Sequence, residues 1–309
     1  MTDRLFLDSP VAQRALYVPP DWWQTPRTLD DANTAWKEGA LAIGGAALRD
    51  ALAAADTRGA DIDLIAVTSV TGYATPGLDL LLVKQEGLSN RIARAHFNCI
   101  GCHAAVPLLK VAADHAARRP GSKALCIAVE ICSACFRPDP DPQNLVALAL
   151  FADGAAACVV STDGDGPEIL DFGAAYDLDN LDKLGFTLTT GGFRIVLDPS
   201  IPAIIGSQID STVRELLARN HVGLDQVSTW CFHPGGSRIL DEVQRALGLA
   251  DDAMVPSRRV LRGYGNMSSP SILFVLAEAL GRKAPPPGSY GVMAAFGPGL
   301  GIETCLLRF

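Results

Sequence analysis

A chain of 309 residues, 49% of them hydrophobic, is long enough to bury a large core as one α/β unit or as two fused halves. No apolar run is long enough to cross a bilayer, and the start MTDRLFLDSPVAQR lacks the charged–apolar–small order of a signal peptide, so the expected compartment is the cytoplasm, where eight cysteines stay thiols. A net charge of −8 without a basic stripe argues against a nucleic-acid partner.

Residues 5–36 carry Pro10, Pro19, Pro20 and Pro26 and the Trp22–Trp23 pair, and they read as an irregular segment wrapping a surface. An alanine-rich helix is expected over 40–55, weakened by Gly44 and Gly45. The run DLIAVTS at 63–69 reads as a buried parallel strand, with a turn at Gly72 and a helix over 76–86 after it. Apolar Ile92, Ala93 and Phe97 lead into NCIGCHAAVPLLKV at 98–111, the end of a strand, a glycine turn at Gly101 and a helix from Cys102 to Ala117 that Pro120–Gly121 ends.

KALCIAVEI at 123–131 is the next buried strand; 145–151 reads as helix and 155–161 as strand. Gly164–Pro167 is the junction between halves, giving units 1–165 and 166–309. In the second half 169–175 and 192–197 read as strands and 201–217 as a long helix. A strand at 229–232 stops at His233-Pro-Gly-Gly236, with a helix over 238–247 behind it. Residues 264–269 form a loop, with Ser269 as N-cap and Pro270 as first residue of a helix to Leu280. Strands at 292–295 and 301–307 flank Phe296-Gly297-Pro298-Gly299. Strand–helix alternation in both halves predicts an α/β protein with layered sheets.

Three polar groups fall at the ends of elements, where sites are built. Cys102 at a helix start gains thiolate character from the unpaired N–H groups and the positive dipole end. His233 at a strand end and Asn266 in a loop offer two neutral donors for a developing oxyanion. Each also has a plain alternative: a small buried cysteine, a turn histidine and a left-handed turn asparagine.

GCHAA, ALFADGAAACVV, FHPGGSRIL, SRRVLRGYGNMSSPSILF and AFGPGLGIET together resemble the type III polyketide synthases, relatives of chalcone synthase. The likeness runs collinearly from about Asp63 to the C-terminus. EICSACF is similar to the cysteine-containing segment of the bacterial branch. The resemblance implies a thiolase fold of two similar halves in α-β-α-β-α layers. It implies a catalytic triad of Cys102, His233 and Asn266. In such enzymes the cysteine takes an acyl group from a CoA thioester, and His and Asn assist decarboxylation of malonyl-CoA. The enolate then extends the chain, which cyclises to a pyrone, resorcinol or naphthol-type product. The same resemblance places Phe151 at a gate between CoA tunnel and cavity and Cys132, Cys135 and Ser268 on the cavity wall. It places Ile195 at a second gate position, Gly297, Pro298 and Gly299 on a cyclisation loop, and Thr75 where a residue crosses into the partner's cavity. It implies a homodimer, malonyl-CoA and an acyl-CoA starter as substrates, and no metal, flavin or nicotinamide.

Two departures stand out. Family members begin with an extra strand and helix carrying basic CoA contacts, and that strand is expected inside the sheet; this sequence starts after most of it. Val70 and Thr75 replace more typical polar or bulky residues. Rival readings are c-type haem attachment at CIGCH, a zinc site from Cys99-x-x-Cys102 with Cys132-x-x-Cys135, a ketoacyl-synthase III-like single condensation, and a non-catalytic acyl-binding subunit.

Overall fold

Thr28 opens the first long helix inside the stretch that the prolines mark as irregular. Its hydroxyl accepts from the Asp31 backbone N–H, and the Asp31 carboxylate accepts from the Thr28 N–H, so the cap is reciprocal. Helix α1 therefore spans Leu29–Ala54, eleven residues more than the alanine pattern alone marks out at its start, and Trp36 is core rather than surface wrapping. The computed structural model describes residues 9–136, 139–189 and 192–309, so positions 5–8 of the irregular segment lie outside it.

The first half continues with β1 (Leu64–Thr68), α2 (Leu78–Gln85), β2 (Ala93–Phe97), α3 (Ala105–Arg118), β3 (Lys123–Glu130), a single turn α4 (Cys132–Cys135), α5 (Pro142–Leu150) and β4 (Gly154–Ser161). Its sheet has the order β2-β1-β3-β4, the first three parallel and β4 antiparallel. The second half holds β5 (Glu168–Tyr176), β6 (Leu184–Thr189), β7 (Gly192–Leu197), α6 (Ile201–Arg219), β8 (Val227–Phe232), α7 (Ser237–Leu247), α8 (Val255–Tyr264), α9 (Ser271–Arg282), β9 (Tyr290–Gly297) and β10 (Gly301–Arg308). Its main sheet runs β5-β10-β9-β8, and β6 pairs with β7 in a separate ribbon.

The parallel pair β8–β9 followed by antiparallel β10 repeats the pattern β1–β3–β4. Three apolar clusters fill the spaces between layers. One joins α1 and α2 to the first sheet, and another joins α6 and α7 to the second. The third lies between the sheets and combines α3 residues such as Leu108 and Ala112 with α9 residues such as Ile272 and Val275. The result is an α-β-α-β-α stack.

The repeat corrects one expectation. In the second half the extra strand β5 lies on the outer edge of β10, not between inner strands. The equivalent position in the first half is the outer edge of β4, which carries no strand among the described residues. The first sheet is hydrogen-bonded from β2 to β4 without a gap, so the expectation of an internal strand there is wrong.

Two other corrections concern helix starts. Helix α3 begins at Ala105, so Cys102 sits in the turn before it rather than in its first turn. Helix α9 begins at Ser271 without a side-chain cap, because the Ser269 hydroxyl is engaged elsewhere, on Glu130.

Candidate active site

Gly101 holds the nucleophile turn at φ 90°, and a Cβ there would sit 2.5 Å from Cδ of Pro298. The glycine thus lets the Cys102 turn and the β9–β10 loop touch. Cys102 packs against a buried cluster of Cys132, Phe136, Ala147, Phe151 and Ile195. Phe136 and Phe151 meet in a tilted contact with ring centroids 5.0 Å apart, and Phe186 lies 6.0 Å from Phe136. Cys132, expected on the cavity wall, and Phe151 and Ile195, expected at the two gates, all belong to that cluster. Cys135 is buried on the same short helix but outside that cluster. Thr75 is exposed within the single chain, its hydroxyl donating to the Tyr73 hydroxyl at 2.8 Å.

Asn266 reaches the site because its backbone pairs with the chain around Phe151. Its N–H donates to the Leu150 carbonyl and its carbonyl accepts from the Ala152 N–H, both at 2.8 Å. Its side-chain oxygen accepts from the Ser268 N–H at 2.8 Å, which turns the Nδ2 hydrogens away as the available donors. Ser268 takes φ 59°, and its hydroxyl interacts with the Cys102 thiol. His233 follows β8, held by its own N–H on the Ala294 carbonyl at 2.9 Å. His103 lies close enough to His233 to depress its basicity, and its Nδ1 rests against Gly297. Cys102 is thus linked through Ser268 to Asn266, and its chain neighbour His103 lies near His233 and Gly297.

Burial governs its charges. It pushes the Cys102 thiol up to about 12, with the Glu130 carboxylate adding to the rise and the Ser268 hydroxyl opposing it. Burial also lowers His233 to about 3, helped by His103. Burial thus works against the dipole-stabilised thiolate expected from a helix start: it favours the uncharged form of each group, and Cys102 lies in the turn before α3 rather than in its first turn. His233 Nδ1 and His103 Nδ1 are buried polar atoms without hydrogen-bond partners in the structure. Such atoms are costly in a folded interior, and their clustering marks a place prepared for a ligand.

Glu130 and Phe136 went unnoticed in the sequence. Glu130 is fully buried at the end of β3. Its Oε2 accepts from the N–H groups of Val70 and Thr71 and the Thr71 hydroxyl, and its Oε1 from the Ser269 hydroxyl at 2.6 Å. It ties the β1 loop of the first half to the Asn266 loop of the second. The signal was the single carboxylate in the otherwise apolar run KALCIAVEI.

Two cavities flank the end of α5, at Leu150 and at Phe151. The larger, about 710 Å³, lies between α5, the β7–α6 connection and the Gly235–Gly236 head of α7, and Arg238 stands on its wall. The smaller, about 240 Å³, lies against Trp23, Cys132, Phe136 and Phe151. Cys99 is exposed and Cys102, Cys132 and Cys135 are not, and no group of three or more His, Cys, Asp or Glu able to hold a metal ion occurs among the described residues. No described helix is long and apolar enough to cross a membrane.

Family profiles for the N-terminal and C-terminal domains of chalcone and stilbene synthases match residues 24–164 and 179–309. The chain is 37% identical to the 1,3,6,8-tetrahydroxynaphthalene synthase of Streptomyces peucetius subsp. caesius, over 99% of this chain and 83% of that protein. It is 31% identical to the 3,5-dihydroxyphenylacetyl-CoA synthase of Streptomyces toyocaensis, over 100% and 84%. The crystal structure of the Streptomyces coelicolor tetrahydroxynaphthalene synthase superposes with a TM-score of 0.95 at 27% identity, covering 100% of this chain and 89% of that one. A polyketide synthase from the brown alga Ectocarpus siliculosus gives 0.92 at 30%, covering 99% and 88%. With both domains matched and the two-sheet stack shared, this chain belongs to the chalcone and stilbene synthase family of type III polyketide synthases, acyltransferases with the thiolase fold.

Proposed function

We propose that this enzyme loads an acyl group from a CoA thioester onto Cys102, extends it with malonyl-CoA by decarboxylative Claisen condensation and cyclises the chain to a pyrone, resorcinol or naphthol-type product. The observation that carries the reading is the half-buried Cys102, hydrogen-bonded by Ser268 and followed in the same turn by His103, whose Nδ1, like that of neighbouring His233, has no hydrogen-bond partner. Neutral His233 accepts the thiol proton as Cys102 attacks the starter thioester, and CoA leaves. Loss of carbon dioxide from malonyl-CoA then puts negative charge on its thioester oxygen. The Asn266 amide and the His233 N–H stabilise that enolate in a site screened from water. Its carbon attacks the Cys102 thioester, the sulfur departs, and the lengthened chain returns to Cys102 for the next round. The 710 Å³ cavity, running from the Gly235–Gly236 loop beside His233 to Leu150 beside Phe151, suits the pantetheine arm, and the uncapped start of α7 with Arg238 suits its phosphates. The reading assigns no step to a metal, flavin or nicotinamide.

Purified enzyme given malonyl-CoA and a panel of acyl-CoA starters should release cyclised products readable by mass. The acyl group should map to Cys102 by peptide mass, and Cys102→Ala should abolish it. Acylation, not alkylation, is the measurement to use, since exposed Cys99 meets a general alkylating reagent first. Malonyl-CoA left intact with every starter would overturn the proposal.

A further inference from the structure

His103 and His233 are the two fully buried histidines among the described residues, and the reaction above uses only His233. The His103 ring fills the hollow of the β9–β10 loop. A Cβ on Gly297 would sit 1.7 Å from its Nδ1, and a Cβ on Gly301 would sit 3.1 Å from its Nε2. Both ends of the loop are thus glycine where the imidazole lies. Two residues earlier in the same turn, Pro298 packs against Gly101 in the reverse sense. Residues 101–103 and 297–301 interlock, so the loop cannot shift relative to the Cys102 sulfur while the ring is in place. His103 Nδ1 has no hydrogen-bond partner, and burial lowers the ring to about 4, so it sits there as a neutral wedge.

We propose that His103 is a specificity-determining positioning residue: by fixing residues 297–301 against the Cys102 turn, its ring sets which carbons of the Cys102-bound chain meet at ring closure. The inference rests on the polyketide synthase reading and deepens it. A chain tethered at the sulfur starts beside the Gly101–Pro298 contact, and the His103 ring sets how closely the loop approaches that turn. Removing the ring leaves a hollow into which the loop relaxes, and adding a Cβ at Gly297 pushes loop and ring apart.

The test compares products from malonyl-CoA and the preferred starter for wild type, His103→Ala, His103→Phe, Gly297→Ala and the double variant His103→Ala/Gly297→Ala. The readout is the share of the wild-type ring product in total product, which a merely stabilising residue would not move. His103→Ala and Gly297→Ala should each lower that share at least threefold in favour of other cyclised or hydrolysed chains. His103→Phe, which keeps a flat ring in the hollow, should retain it. The double variant should recover share relative to Gly297→Ala, because the colliding partner is gone. An unchanged share in folded His103→Ala overturns the proposal, as does a double variant no better than Gly297→Ala, a comparison that still decides if His103→Ala alone is unstable. A share lost in His103→Phe as in His103→Ala also overturns it, since shape would not then be the cause. If wild type forms no product at all, the polyketide reading falls and this inference with it; if wild type is active and the share ignores position 103, only this inference falls.

Discussion

Asn266 separates two steps that Cys102 and His233 share. Loading needs a thiol and a proton acceptor, and neither is altered in Asn266→Ala. Decarboxylation needs both oxyanion donors, and losing one costs roughly a hundred- to a thousand-fold in rate. Starter loading should therefore stay near normal in Asn266→Ala while carbon dioxide release from malonyl-CoA collapses, as measured by intact mass and by a coupled CO2 assay. Parallel loss of both would mark Asn266 as a backbone anchor for Phe151, a role its two main-chain bonds would also allow. The protonation states make a second prediction. With the thiol raised to about 12, its ionisation lies above the working range; with His233 lowered to about 3, its protonation lies below it. Neither group changes charge between about pH 6 and 9, so the loading rate should vary less than about threefold there. A tenfold rise per pH unit would show that loading runs through a scarce thiolate without help from His233.

At the scale of elements, buried carboxylates hold loops that periodicity cannot see. Glu130 joins the ends of β3 and β1 to the loop before α9. Asp79, in the first turn of α2, is fully buried and binds the Arg94 guanidinium and the His96 imidazole of β2. Burial alone would raise its pKa, but those two partners hold the carboxyl well below the usual range. A depressed native pKa contributes stability above the unfolded value of about 4 and loses it as pH falls below that. Asp79→Asn should therefore cost about 1–3 kcal/mol at neutral pH. The variant should also lose less stability than wild type between about pH 4 and 2. Urea unfolding at several pH values checks both; identical pH profiles would show that the ion pair contributes nothing.

At the scale of the whole molecule, the chain is expected to act as a homodimer. The turn bearing Thr75 is exposed, and Tyr73 and Leu80 beside it are 64% and 37% exposed, an unusual placement for large apolar side chains. An obligate interface buries on the order of 2,000 Å² or more. Light scattering at micromolar concentration should give twice the chain mass, and Tyr73→Asp should shift it toward monomer. A monomer in the wild type would remove Thr75 from any partner's cavity.

Local and periodic features could be read from residue types and their spacing. Apolar runs bounded by glycine and proline marked β1, β3 and β8, and an ordered set of short motifs marked Cys102, His233 and Asn266. Those signals are readable because a buried strand must be apolar and a tight turn must contain glycine, whatever lies around it. Helix α1 started earlier than its alanines indicated because a reciprocal cap at Thr28 outweighed the prolines upstream. Ser269 resembled a cap but serves Glu130 from 139 positions away, and only the folded chain brings them together. Only the fold brings burial and the Glu130 carboxylate to bear on Cys102, and both raise its pKa. The fold alone decided that the extra strand of the second half, β5, lies at a sheet edge, because pairing order is set by long-range contacts. It alone set His103 against Gly297, for two residues nearly two hundred positions apart become neighbours only when both sheets pack on the shared helix layer.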